Sequence, residues 1–289
     1  MSRPEHIAPP QFFYNAEEAK KYTNNSRVQQ IQVDMTYRCI ELLQLPVSAL
    51  DPERARPAFL LDIGAGSGLS GEILTEEGHE WVGMDISGGM LEQALEREVE
   101  GDLQLADIGQ GIPFRAGSFD GAISVSVLQW LCNADSTSHS PPQRLLRFFT
   151  DLFGCLTRGA RAVFQFYPEG DEQVKFIMQF ATKAGFGGGL VVDYATNCED
   201  SKKFFLVLFA GQPTDVSRPQ ALPAGLTEDA DQVKFERVRQ KEKVKRRKMQ
   251  GKVKDLEWVL KKKELYRARG KANVPRDSKF TGRSRKPRF

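Results

Sequence analysis

At 289 residues, 40% of them hydrophobic, the chain can bury one sizeable core with extensions. No apolar run approaches a membrane span and no signal-like apolar stretch opens the chain, so membrane and secretory roles are not expected. The net charge of +3 hides an asymmetry: residues 231–289 hold 23 Lys and Arg against 7 Asp and Glu, leaving 18 against 31 in residues 1–230. A body of net −13 with a tail of net +16 suggests that the body performs chemistry while the tail finds a polyanion.

Residues 1–14 are Pro-rich and end in Gln11-Phe12-Phe13-Tyr14, which reads as an ordered cap. A helical pattern over Ala16–Leu45 breaks near Asn24-Asn25, with Ser26 the expected N-cap. Ile31, Met35, Cys39 and Leu42/Leu43 recur at helical spacing and form its expected core face. Tyr14, Tyr22 and Arg27 either close over a ligand or serve packing and surface charge. Residues 46–57 read as a linker.

The stretch Phe59–Asp85 organises the rest. Phe59–Ile63 is a short apolar run expected as a buried parallel strand, and it breaks into Gly64-Ala65-Gly66-Ser67-Gly68 before a helix opening at Leu69. Glycines at such a turn let the backbone close on a ligand while the helix presents free N–H groups. A second strand, Trp81–Met84, ends on Asp85, seventeen positions after Gly68, where a carboxylate can accept both hydroxyls of a ribose. Leu69 stands where the dinucleotide fingerprint needs a small residue, which weakens a pyrophosphate-binding reading.

After Ile86 comes a helix over Glu92–Val99, then a third strand over residues 101–107. Asp107 and Ile108 at its end are placed to flank an adenine, Asp107 accepting from the exocyclic amine. A fourth strand, Gly121–Leu128, is nearly all small or β-branched, as suits a central position. Gln129 and Trp130 follow it at the carboxyl edge, where open α/β sheets bind ligands. For Trp130, core packing is the competing role. Then come a helix over Arg144–Leu156, a strand over Ala160–Tyr167, and a helix over Glu172–Ala184 stopped by Gly185–Gly189. Leu190–Tyr194 and Phe204–Phe209 complete a seven-stranded, mostly parallel, Rossmann-like sheet with helices on both faces; these last two are expected to run antiparallel. Cys39, Cys132, Cys155 and Cys198 are too dispersed for a metal clip and the three histidines are isolated, so no metal site is expected.

The implied organisation is a helical cap (1–57), a cofactor-binding core (58–211), a Pro-containing linker (212–232) and a basic, helix-prone tail (233–289). In that tail, Lys241–Lys248 and Lys261–Lys263 read as nuclear import or RNA contacts, and Trp258 and Tyr266 could stack on bases.

The order Asp62-x-Gly64-x-Gly66-x-Gly68 resembles the first motif of class I S-adenosylmethionine-dependent methyltransferases. Further stretches carry a closer resemblance: Leu61–Gly64, Trp81-Val82-Gly83 with Asp85-Ile86-Ser87, Gly109–Phe114, Gln129–Ala134, Ala181–Phe186, Val191–Tyr194 and Lys279–Phe289. Over nearly its whole length the chain resembles the eukaryotic methyltransferases that modify guanine N7 in 18S rRNA, although Ala65 and Ser67 stand where Cys and Thr are usual in the family.

That resemblance implies a nuclear enzyme of 40S ribosome biogenesis, with the cytoplasm a second location, paired with a small zinc-binding activator subunit. Strand Leu103–Asp107, at the sheet edge, is the expected docking site. S-adenosylmethionine is the implied cofactor, held by Asp62, Gly64, Gly66, Gly68, Asp85, Ile86, Asp107 and Ile108. Guanine N7 carries its own lone pair, so no acid or base residue is expected; Gln129, Trp130 and Tyr167 are the candidates for positioning the base. An assembly factor that acts mainly by binding pre-ribosomes, and a small-molecule methyltransferase, are the alternatives.

Overall fold

The computed structural model describes residues 3–46, 56–134, 136, 139–193, 202–211, 222, 225, 260, 263, 264, 267 and 274–277. The chain divides into two units, residues 1–226 and 227–289. Most of the expected linkers and tail, with Trp258, Tyr266 and the run Lys241–Lys248, lie outside the described residues.

The first unit opens with a 3₁₀ turn at Pro4–His6 and helices α1 (Pro10–Phe13), α2 (Ala16–Asn24) and α3 (Ser26–Leu43). The break between α2 and α3 falls where the sequence placed it, but Asn25 is the N-cap rather than Ser26. Its side-chain carbonyl accepts from the N–H groups of Arg27 (3.0 Å) and Val28 (3.3 Å). Met35, Cys39, Leu42 and Leu43 are buried as expected, whereas Ile31 is exposed. It lies in the N-terminal part of α3, ahead of the residues that join the core.

The core alternates β1 (Phe59–Ile63), α4 (Leu69–Glu76), β2 (Glu80–Asp85), α5 (Gly88–Glu96), β3 (Asp102–Leu105), β4 (Phe119–Val125), α6 (Pro141–Cys155), β5 (Leu156–Phe166), α7 (Asp171–Lys183), β6 (Gly187–Asp193) and β7 (Lys203–Phe209). The order across the sheet is β3-β2-β1-β4-β5-β7-β6. Period-two alternation sends Leu61, Ile63, Val82, Met84 and Phe164 to the face covered by α6 and α7. Leu60, Trp81 and Val163 point to the opposite face, where residues of α3, α4 and α5 complete a second core. The near-continuous apolar runs of these strands are thus buried from both sides.

Several element bounds shift from the sequence reading, among them β4, α6 and β5, and three differences bear on the architecture. Helix α5 begins at Gly88 rather than Glu92, because the Ser87 hydroxyl caps it by accepting from Met90 N–H at 3.1 Å. Gly187–Gly189 are the first residues of β6 and not only a helix stop. Gly188 takes φ +127°, and a Cβ there would come within 2.1 Å of the Val207 carbonyl oxygen on β7. Finally, only β7 runs against the sheet. It is antiparallel to both β5 and β6, so β6 points the same way as the other five.

Candidate active site

The carboxyl ends of β1, β2, β3 and β4 face one cavity at the point where the strand order reverses between β1 and β4. Its floor is the glycine turn. Gly64, Gly66 and Gly68 adopt φ of +74°, +55° and +79°, and a Cβ on Gly64 would come within 2.1 Å of Val127. Only glycine fits that close approach of the β1 and β4 loops.

Asp85 ties this turn to β2. One carboxylate oxygen accepts from Gly66 N–H and the other from Ser87 N–H, both at 2.8 Å. A carboxylate offers about four acceptor positions, so two remain for a pair of hydroxyls. Burial raises the pKa of Asp85, and the hydrogen-bonded N–H groups of Ser87 and Gly66, with the neighbouring Ile86 N–H as a smaller influence, oppose that shift. Asp107 accepts from both terminal nitrogens of Arg144 at 2.8 Å each and from Gly109 N–H at 2.9 Å. Its pKa is lowered: desolvation acts upward but is outweighed by Arg144 and the Gly109 N–H.

The N-terminal segment closes the cavity. Pro10, Tyr14, Tyr22 and Gln32 line it, and the Ser87 hydroxyl donates to the Tyr14 carbonyl at 2.7 Å. Arg3 donates to the carbonyls of Tyr167 (2.8 Å) and Pro168 (2.9 Å), while His6 meets Glu169 at 2.6 Å. Burial, with Asp85 and Glu5 nearby, pushes the Tyr14 phenol up to about 12. Burial likewise raises Tyr22, so both phenols stay neutral.

Of the cofactor candidates, Gly64, Gly66, Asp85, Ile86, Asp107 and Ile108 line the cavity; Asp62 and Gly68 do not. Asp62 is 1% exposed and accepts from the Ser70 hydroxyl at 2.6 Å, which fixes the first turn of α4 behind the glycine turn. Gly68 is the N-cap of that helix. Trp130 lines the cavity with Phe13 and Tyr14 against its ring, at centroid distances of 6.1 and 5.9 Å. Gln129 is buried and is not in the described lining; its side-chain amide donates to the Ser126 carbonyl at 3.0 Å, while its Oε1 has no partner. Tyr167 lies outside the cavity lining and is 40% exposed, with burial raising its phenol pKa against the opposing influence of nearby Ser126 and Gln165. Arg27, considered as a closing residue, is exposed on the first turn of α3 and is not in the lining.

Sequence reasoning missed Ser126 and Arg144. Ser126 holds φ +63°, a strained value for a non-glycine residue at the end of β4. Its hydroxyl donates to the Gln165 side chain at 2.9 Å and its N–H to the Gln165 carbonyl at 2.9 Å. No local pattern announces either residue, since each acts through a partner more than thirty positions away.

The donor set discriminates among nucleosides. Among the described lining residues Arg144 is the one cation, and both its terminal nitrogens are engaged by Asp107. A pyrophosphate would find no counter-charge here. A phosphate-free nucleoside carrying a positive charge suits the one uncompensated carboxylate, Asp85, the glycine turn and the apolar walls of Ile86, Met90 and Ile108.

Comparison with known proteins agrees with this geometry. Residues 61–164 match the family model described as "Methyltransferase domain", and residues 208–287 match "Methyltransferase involved in Williams-Beuren syndrome". The mouse "18S rRNA (guanine-N(7))-methyltransferase" is 53% identical over 99% of this chain and 98% of its own length. An Arabidopsis thaliana protein of the same description is 52% identical over 100% and 99%. The Saccharomyces cerevisiae "18S rRNA (guanine(1575)-N(7))-methyltransferase" is 51% identical over the whole of both chains. Identity at this level along the full length settles the assignment: the chain belongs to the 18S rRNA (guanine-N7)-methyltransferase family.

Proposed function

We propose that this chain transfers the methyl group of S-adenosylmethionine to N7 of a guanine in small-subunit ribosomal RNA. The observation that carries the reading is the charge of the cavity: Asp107 and Arg144 compensate each other, which leaves Asp85 as the uncompensated carboxylate of the described lining, at the switch point of the sheet. Asp85 would hold the ribose hydroxyls, Asp107 and Ile108 the adenine, and the glycine turn the amino-acid end. Bound S-adenosylmethionine supplies an electrophilic methyl group on a sulfonium, and the residues of the chain supply alignment.

Guanine N7 presents an in-plane lone pair, so no proton must leave before it attacks. The buried phenols of Tyr14 and Tyr22 stay neutral and would serve as walls of the site. The work left to the protein is orientation and exclusion of water. In this reading Trp130, which lines the cavity, would stack on the base, and the half-exposed Tyr167 would flank it. The cationic ring formed on transfer is favoured by the acidic surroundings of Asp85.

A small zinc-binding activator subunit is the partner we propose, docked on β3. That strand is the free edge of the sheet, and Leu105 on it is 63% exposed. The basic tail supports RNA attraction and a nuclear location, with the cytoplasm as a second one. The direct test incubates the chain and activator with small-subunit precursor particles and methyl-labelled S-adenosylmethionine. Label recovered as N7-methylguanosine supports the reading; label on another atom, or none, counts against it.

A further inference from the structure

Asp107 and Arg144 form a pair that the cofactor reading leaves unexplained, because it makes no use of Arg144. Arg144 lies on α6, 37 positions after Asp107. Its Nη1 and Nη2 each donate to one carboxylate oxygen at 2.8 Å, and the two side chains are only 10% and 13% exposed. The buried Nε has no partner, so its hydrogen bonds with Asp107 set the orientation of the guanidinium. Gly109 completes the arrangement. Its N–H donates to Asp107, and a Cβ on it would come within 2.3 Å of the Arg144 Cζ, so the guanidinium lies flat against a bare backbone.

Three of about four acceptor positions on Asp107 are thereby filled, and the residue lines the cavity. We propose that Arg144 is a positioning residue that locks Asp107 as an obligate hydrogen-bond acceptor, and so makes the site select a 6-aminopurine over a 6-oxopurine in its cofactor. A carboxylate clamped this way cannot donate. An adenine amine satisfies its remaining position, whereas a 6-oxo group would set oxygen against oxygen unless the base shifted. The proposal rests on the reading of the cavity as an S-adenosylmethionine site and adds the device that tunes it.

Isothermal titration of the full chain with S-adenosylhomocysteine and with S-inosylhomocysteine tests the idea without any turnover. The wild type should favour the adenosyl ligand about ten- to hundredfold, as one charge-assisted hydrogen bond warrants. Arg144→Met releases Asp107, and Gly109→Ala displaces the guanidinium while keeping both charges. Each should narrow the ratio to within about threefold, mainly by weakening the adenosyl ligand. Thermal unfolding identifies the folded variants, and Gly109→Ala decides if Arg144→Met does not fold. A purely structural tie between α6 and β3 would weaken both ligands alike and keep the ratio, which overturns the proposal. An indifferent wild type overturns it too. A wild type that binds neither ligand overturns the underlying cofactor reading instead.

Discussion

Replacing Asp85 with Ala should weaken binding of S-adenosylhomocysteine by about 3 kcal/mol, roughly a 150-fold rise in Kd. Two of the carboxylate's acceptor positions are taken by Gly66 and Ser87 N–H groups at 2.8 Å, leaving two for the ribose hydroxyls. Each charge-assisted bond is worth about 1.5 kcal/mol net at the low end, hence the sum. The variant also leaves those two backbone N–H groups without their acceptor and frees the glycine turn from β2, so a modest loss of thermal stability should accompany it. Asp85→Asn, which keeps one oxygen acceptor, should fall between the two. Because burial raises the Asp85 pKa, wild-type affinity should also fade as acid protonates the carboxylate. Calorimetry on folded protein at fixed pH is the assay. Affinity in Asp85→Ala equal to wild type would refute the placement of the ribose.

Three further outcomes are expected. Burial raises the Asp62 carboxyl from 3.8 to about 7, so its stabilising proton is fully held below the unfolded value and lost as pH rises through 7. Asp62→Asn should therefore gain about 3 kcal/mol on the wild type in urea unfolding between pH 5 and pH 8, and a pH-independent difference would count against it. Ala106 N–H donates inward to the Asp85 carbonyl at 2.9 Å, so Leu105, one residue earlier, turns its own N–H to the free edge. Leu105→Pro should then abolish co-purification with the activator while cofactor affinity is kept; intact co-purification would move the docking site elsewhere. Truncation after Gly225 should leave cofactor affinity unchanged and cut the salt dependence of RNA binding by about 0.7 to 0.9 log units for each phosphate no longer neutralised. Equal slopes for both forms would place the RNA grip on the body or its partner.

What was legible in the sequence was local. The glycine turn, Asp85 and the strand that carries it follow from spacing alone, since a βαβ unit fixes which residues meet at the carboxyl edge. Six of the eight residues read from the sequence as cofactor contacts line the cavity for that reason. Asp62 lies outside the cavity lining because alternation along β1 turns it toward α4, a direction that the motif does not state. Gln129 and Trp130 were read as a pair, yet neighbours in a short 3₁₀ turn face different ways, and only Trp130 reaches the cavity. The reversal of β7 was expected, but the return of β6 to the direction of the other strands left no trace in composition, because buried strands of either direction are apolar. Arg144 and the Arg3 and His6 contacts were out of reach for a plainer reason. Their partners lie 37, 164 and 163 positions away, and single-sequence patterns do not report such distances.

The central claim is that the cavity around Asp85 methylates guanine N7 in small-subunit RNA. Its most direct test maps N7-methylguanine along 18S rRNA in cells whose only copy of the chain is wild type or Asp85→Ala, at matched protein levels. The account predicts one guanine modified in the wild type and unmodified in the variant, with all other N7 positions unchanged. Full methylation at that guanine with Asp85→Ala as the sole copy would contradict it.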